Sequence, residues 1–107
     1  MEEDYMADVL DSVEFQVQDG TDNGKEILVL ALSTCAFCKR AMNFLRNQGL
    51  AYKYVFLDQI DPELKRQVKD ELRGRYESLP IFPVLVYNRE KALSGFTEKE
   101  WRATLGL

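Results

Sequence analysis

The apolar positions of this 107-residue chain follow three different rhythms. Residues 27–32, Ile-Leu-Val-Leu-Ala-Leu, form an unbroken apolar run of mostly branched side chains, which reads as a central strand covered on both faces. Ahead of it, Val13, Phe15 and Val17 alternate with Glu14, Gln16 and Gln18, the period of two that a half-buried strand requires. Earlier still, Met6, Val9, Leu10 and Val13 share one side of a short amphipathic helix over residues 2–12. These two patterns compete where they meet, and the turn-forming stretch Asp19-Gly-Thr-Asp-Asn-Gly24 separates them from the apolar run.

After the run, Ser33 and Thr34 are a polar break and a predicted N-cap for a helix over about 36–48, on which Cys38, Ala41, Met42 and Leu45 recur at helical spacing. Gly49 suits the position just past its end. Tyr52–Leu57 reads as a second strand. Asp61-Pro62-Glu63 combines an N-cap acceptor, a first-turn proline and a first-turn acid, so a helix starts there. Leu64, Val68 and Leu72 line one of its faces and Lys65, Lys69 and Arg73 another, with Arg75 continuing the basic series. Residues 76–82 read as a loop, Pro83–Tyr87 as a third strand and Lys91–Leu93 as a fourth. Thr97-Glu-Lys-Glu100 has the form of a capping box opening a last helix that carries Trp101 and Leu105. From residue 27 the order is β-α-β-α-β-β-α. Right-handed crossover makes the first two strands parallel neighbours, and the short 87–91 connection makes the last two antiparallel. The expectation is one α/β domain with a four-stranded mixed sheet flanked by helices, residues 26–107 forming the core and 1–25 an N-terminal extension.

Composition narrows the chemistry. With 46% hydrophobic and 30% charged residues the chain has a core and a polar surface, and it contains no run near the roughly 20 apolar residues of a membrane span. The acidic start has no basic or apolar signal-like region, so the expected location is the cytoplasm, away from membranes. The net charge of −4 is uneven: residues 1–26 hold nine acids and one base, and residues 27–107 nine acids and thirteen bases. The leader is thus at −8 and the body at +4, which suggests either a helix or edge strand packed on the sheet, or a leader folded over the basic body that affects partner access. No basic stripe is interleaved with aromatics, so no nucleic-acid partner is expected. The absence of histidine excludes imidazole bases and the commonest zinc ligand.

Chemistry therefore centres on the only two cysteines, in Cys35-Ala-Phe-Cys38, where a buried strand ends and a helix begins. Unpaired N–H groups and the positive helix end favour a thiolate at the first sulfur, and Lys39 and Arg40 add positive charge. The spacing lets the second sulfur attack a mixed disulfide formed at the first, so Cys35 is the attacking thiol and Cys38 the resolving one. Half of a zinc or iron–sulfur site is the alternative, but a closed zinc site needs four ligands and this chain offers two sulfurs. No bound metal or other cofactor is expected.

Over residues 26–106 the sequence resembles the glutaredoxin family. The resemblance is carried by Ser-Thr-Cys35-Ala-Phe-Cys38-Lys-Arg, the aromatic strand 52–57, Phe82-Pro83-Val-Leu-Val-Tyr-Asn88, and Leu93-Ser-Gly-Phe-Thr-Glu98. It implies a thioredoxin-like fold and a dithiol disulfide oxidoreductase that acts as a monomer on protein or small-molecule disulfides. It also implies a cis bond before Pro83 and substrate contacts from Thr34, Phe37, Phe82, Pro83, Gly95, Phe96 and Thr97. The Gly95-Phe96-Thr97 amides would suit a substrate carboxylate, and the basic face of Lys65, Lys69, Arg73 and Arg75 would help to hold glutathione. The chain has Leu32 where the family commonly has lysine, Ala36 where it has proline, and Ser94-Gly95 where it has a double glycine. The Ser-Gly-Phe turn is closer to glutaredoxin-like proteins reduced by thioredoxin reductase, so both glutathione and a thioredoxin-reductase-type donor are candidate reductants. The alternative reading from the resemblance is a dimeric iron–sulfur or metal carrier using Cys35 with glutathione.

Overall fold

The strand β2 (Ile27–Ala31) is buried along its whole length, and the other elements are arranged to cover its two faces. The computed structural model describes residues 9–76 and 81–107. Beside β2 lie β1 (Gln16–Gln18), β3 (Tyr52–Phe56), β4 (Val84–Tyr87) and β5 (Lys91–Ser94), in the spatial order β1-β3-β2-β4-β5. The β2–β3 pair is parallel, with Val29 opposite Tyr54; β1–β3, β2–β4 and β4–β5 are antiparallel. The parallel pair is joined through helix α1 (Ala36–Asn47), and α2 (Pro62–Tyr76) and α3 (Glu98–Leu105) complete the layers.

Strand alternation divides the core in two. Ile27, Val29 and Ala31 of β2 pack with Cys38, Ala41, Met42, Phe44 and Leu45 of α1 and with Trp101 and Leu105 of α3. Leu28 and Leu30 point the other way, to Val55, Leu57 and the α2 residues Val68 and Leu72. Capping chemistry sets the helix ends. The Asp61 carboxylate accepts from the N–H groups of Glu63 and Leu64, at 3.0 and 3.1 Å, to open α2. Gly49, at φ +73°, takes the left-handed turn after α1.

Several expectations change. The sheet has five strands rather than four, because β1, from the acidic leader, pairs with the free edge of β3. The leader also fills core: Leu10 and Val13 are buried against the α2 side of the sheet. Of the helix expected over 2–12, residues Val9–Ser12 form a 3-10 turn, and residues 1–8 lie outside the described residues. Val13 belongs to neither the turn nor the strand. It faces inward for burial, so the alternation yields a strand only over 16–18. The loop expected at 76–82 falls partly on residues 77–80, also outside the described residues, and α2 runs to Tyr76. Strand β3 ends at Phe56 in a short 3-10 turn, Leu57–Gln59, which keeps Leu57 buried.

An ion-pair staple ties the leader down. In the β4–β5 turn Asn88 and Arg89 are both left-handed, at φ +54° and +57°. Arg89 donates to Glu26 at 2.6 Å and to Asp11 at 3.1 Å. Gly20 allows a second tie, since a Cβ there would meet the Leu50 and Ala51 backbone at 2.5–2.7 Å. A leader built into the core in this way carries stability. Leu10→Ala is expected to cost about 2–5 kcal/mol, the range for emptying a buried leucine site, and urea denaturation followed by circular dichroism measures it.

Candidate redox centre

The two cysteines occupy different environments one helical turn apart. Cys35 is the N-cap residue of α1, with extended backbone (φ −93°, ψ 119°), and its own Sγ accepts the N–H of Cys38 at 3.2 Å. Its carbonyl accepts from Lys39 N–H at 3.2 Å, closing the first turn, and its N–H donates to the Leu32 carbonyl at 3.2 Å. The cap is therefore a sulfur and not the Ser33 or Thr34 oxygen that the polar break suggested. The helix begins at Ala36, so only residue 35 is placed to reach its first free N–H groups. Cys35 is half-buried and Cys38 fully buried, and both are free thiols.

Burial pushes the Cys38 thiol up to about 12, and the hydrogen bond that its S–H donates to the Cys35 side chain and the nearby charges of Cys35 and Asp58 push the same way. A backbone contact at Leu32 works against them. Asp58, in the turn after β3, was not singled out in the sequence, where it belongs to no motif. Its carboxylate accepts from the Ser33 N–H at 2.9 Å and from the Ser33 hydroxyl. Those bonds hold the Asp58 carboxyl below its usual range.

The segment before β4 forms the other wall. The Phe82–Pro83 bond is cis, and the Phe82 carbonyl lies 4.0 Å from Cys35 Sγ, at the limit for a thiol donor. Phe37 is 57% exposed and carries the Arg40 guanidinium over its ring at 5.4 Å. Ile81, also missed, is 65% exposed beside Gly95. Its signal was position alone, two residues before Pro83. Of the basic face, Lys69 reaches the site, its Nζ 5.7 Å from the Phe82 ring, while Arg73 pairs with Asp70 at 3.5 Å. Leu32 packs into the α2-side core, as do Ile60, Leu64 and Phe82, so this flank of the cysteines is apolar.

The remaining candidates have structural partners. The Gly95 N–H, expected to be offered to a carboxylate, donates instead to the Ile81 and Pro83 carbonyls at 2.6 and 2.8 Å, because the left-handed Gly95 (φ +78°) turns it onto the loop before β4. The Trp101 indole N–H takes the Gly95 carbonyl at 3.1 Å, and the Phe96 ring packs against Phe44 and Trp101. Thr97 is the N-cap residue of α3, but its hydroxyl makes no cap hydrogen bond. This turn is exposed, and the capping box is not formed. Thr34 is exposed beside Cys35. Among the described residues no three His, Cys, Asp or Glu side chains converge on a point where they would hold a metal, and no helix is long and apolar enough to cross a membrane.

Comparison with known proteins gives a consistent picture. The family model described as Glutaredoxin matches residues 27–91. Among solved structures, a glutaredoxin from Methanosarcina mazei Go1 is 33% identical with a TM-score of 0.75, covering 87% of this chain and 88% of its own. Methanosarcina acetivorans methanoredoxin is 36% identical with a TM-score of 0.72, covering 82% and 90%. A glutaredoxin from Archaeoglobus fulgidus is 26% identical with a TM-score of 0.66, covering 78% and 88%. No curated protein matches the chain.

The unequal environments predict unequal reactivity. At neutral pH iodoacetamide should alkylate one thiol, Cys35, and Cys38 only after unfolding; peptide mass spectrometry reads both. Because Cys38 is raised in the folded state to about 12 from an ordinary value of 9.0, its contribution to stability is complete below pH 9 and is lost as pH rises from there toward 12.

Proposed function

Because this chain belongs to the glutaredoxin family, we propose that it is a dithiol thiol–disulfide oxidoreductase that reduces protein or small-molecule disulfides with Cys35 and Cys38. One observation carries the reading: a half-exposed sulfur accepts a helix N–H at 3.2 Å while its buried neighbour sits one turn along. An N–H aimed at sulfur stabilises negative charge there, and access lets that sulfur meet a substrate.

The thiolate of Cys35 attacks one sulfur of a substrate disulfide, forming a mixed disulfide and releasing the other half as a thiolate, which takes up a proton. Cys38 then loses its proton to solvent or to the departing group and attacks Cys35 Sγ. The Cys35–Cys38 disulfide forms and the second half of the substrate leaves. Two electrons pass from the cysteine pair to the substrate, and two substrate thiols result. Burial is the largest influence that holds Cys38 protonated, but two others come from Cys35 itself. Its charge is gone once Cys35 is in the mixed disulfide, so the second thiol becomes easier to ionise when it is needed.

The exposed Phe37 and Ile81 offer apolar contact to a substrate, and the exposed Thr34 and half-buried Phe82, next to the buried cis Pro83, are the other residues proposed to meet it. The return of electrons falls to glutathione or to a thioredoxin-reductase-type protein, in a reducing compartment such as the cytoplasm. The Leu32 flank is apolar, and the Lys69 ammonium 5.7 Å from the Phe82 ring supports that side chain as a cation for a glutathione carboxylate.

Oxidation should consume two thiols per chain without producing dimers, read by thiol titration and gel filtration. Cys38→Ser should trap the substrate on Cys35 as a stable mixed disulfide visible by mass spectrometry, and Cys35→Ser should lower disulfide reduction by at least a hundredfold. A chain that keeps two thiols after oxidation overturns the reading. Comparing glutathione plus its reductase with thioredoxin reductase as the electron source identifies the donor.

A further inference from the structure

The loop between β2 and α1 is the shared support of both sulfurs. The Leu32 carbonyl accepts the Cys35 N–H at 3.2 Å, and the Leu32 backbone also contacts the Cys38 thiol. The next residue, Ser33, is gripped by Asp58, whose two carboxylate oxygens take its N–H (2.9 Å) and its hydroxyl. This grip crosses 25 residues of sequence, from the turn after β3 to the loop after the neighbouring parallel strand. The cations nearby are Lys39 and Arg46, which with Ser33 line a cavity of about 200 Å³, and Lys65 from α2. Through this grip the Asp58 carboxylate is fixed to the loop that carries both cysteines, and its charge adds a small push to the raised Cys38 thiol, behind burial and Cys35.

Two roles are open to such a carboxylate, and its environment decides between them. A proton acceptor for Cys38 must bind a proton near the working pH. Asp58 is instead held below the ordinary carboxyl range by Ser33, which makes it too weak an acceptor to take a proton from a buried thiol. Its fixed charge, by contrast, is present throughout the neutral range and opposes a second negative charge nearby.

Resting on the oxidoreductase reading above, we infer that Asp58 is a positioning residue of the redox centre: locked to Ser33, it sets a permanent negative charge against the cysteine-bearing loop and slows ring closure by Cys38 relative to attack by an external thiol. The mixed disulfide on Cys35 has two exits. Cys38 can close the ring, or a small thiol from solution can displace the substrate half. A charge that disfavours the Cys38 thiolate lengthens the life of the mixed disulfide and shifts the balance toward the external exit. Asp58 thus tunes which thiol completes the reaction without touching the substrate.

The test uses the full-length reduced protein and an aromatic disulfide that releases a coloured thiolate, 5,5′-dithiobis(2-nitrobenzoate). The first equivalent of colour reports attack by Cys35 and the second reports ring closure by Cys38. Asp58→Asn keeps an oxygen for the Ser33 N–H and removes the charge. The second phase should then run roughly two- to fivefold faster at low salt, since the gain in thiolate is partly offset by a weaker nucleophile. The gain should shrink at high ionic strength, because Asp58 is exposed. Asp58→Glu, which restores the charge, should return the second phase to the wild-type rate. Asp58→Ser gives the same charge removal should the amide not fold. An unchanged or slower second phase in both charge-removing variants overturns the inference, as does equal slowing by Asp58→Asn and Asp58→Glu, which indicates a purely structural clamp. Release of only one equivalent by the wild-type protein fails the oxidoreductase reading instead, so the two failures are distinct.

Discussion

The bond on which the site depends is the 3.2 Å contact from the Cys38 N–H to Cys35 Sγ. A helix N-terminus leaves several N–H groups without internal partners, and a capping side chain is worth about 1 kcal/mol to the helix. Here the cap is the Cys35 sulfur, so the interaction that starts the helix also fixes and polarises the atom proposed to react. The arrangement needs a rigid anchor on the strand side, and β2 provides it: its five residues are fully buried, in contact with two cores at once. Burial of such side chains stabilises by roughly 1.5–3 kcal/mol each, several times the worth of the cap. The core therefore determines where the strand ends, and the chemistry follows from that end point.

The same burial divides labour between two identical functional groups. Cys35 lies at the rim and Cys38 within the α1-side core. A thiol is tolerated in apolar surroundings because its neutral form has little polarity to lose, whereas its ionised form pays the desolvation cost in full. The position of the motif at the strand–helix junction already distinguished the two cysteines; the structure adds the depth at which each lies. That depth follows from the helix turning about one face, so that residues three apart point the second sulfur inward with Ala41, Met42 and Leu45.

The sequence made the core elements legible because each was written in a strong local code. The apolar 27–32 run, the Asp61-Pro62 start of α2 and Gly49 all fell where they were expected, and so did the cysteine pair at the strand–helix junction. What remained hidden were relations between distant segments. That Val17 pairs opposite Lys53 to make a fifth strand depends on a free sheet edge, which three residues of alternation do not reveal. Leu10 and Val13 were read as one side of an amphipathic helix in a leader expected to pack on the sheet, and the patch formed with Val68 and Leu72 is where they become core. The Ser33–Asp58 grip was invisible for the same reason: it joins the C-terminal ends of two parallel strands, and neither residue carries a motif. The capping box at Thr97 failed in the opposite sense, since the local pattern was present and the helix starts there without its side-chain bond.

These relations also explain where the electrostatics of the site must lie. Among the described residues no polar or charged side chain is buried, so the core offers no charge with which to tune the sulfurs. Two kinds of influence are left. Helix N–H groups and desolvation act at short range and are barely screened by salt. Asp58, Lys39, Arg40 and Lys65 act from the rim through solvent, where an 8–10 Å Debye length weakens them at physiological ionic strength. The first kind separates the surroundings of the two thiols, and the second is the weaker and the more sensitive to salt. A chain without histidine, and with an all-apolar central strand, has to build its redox site in this order, from backbone dipoles and burial first and from exposed charge only afterwards.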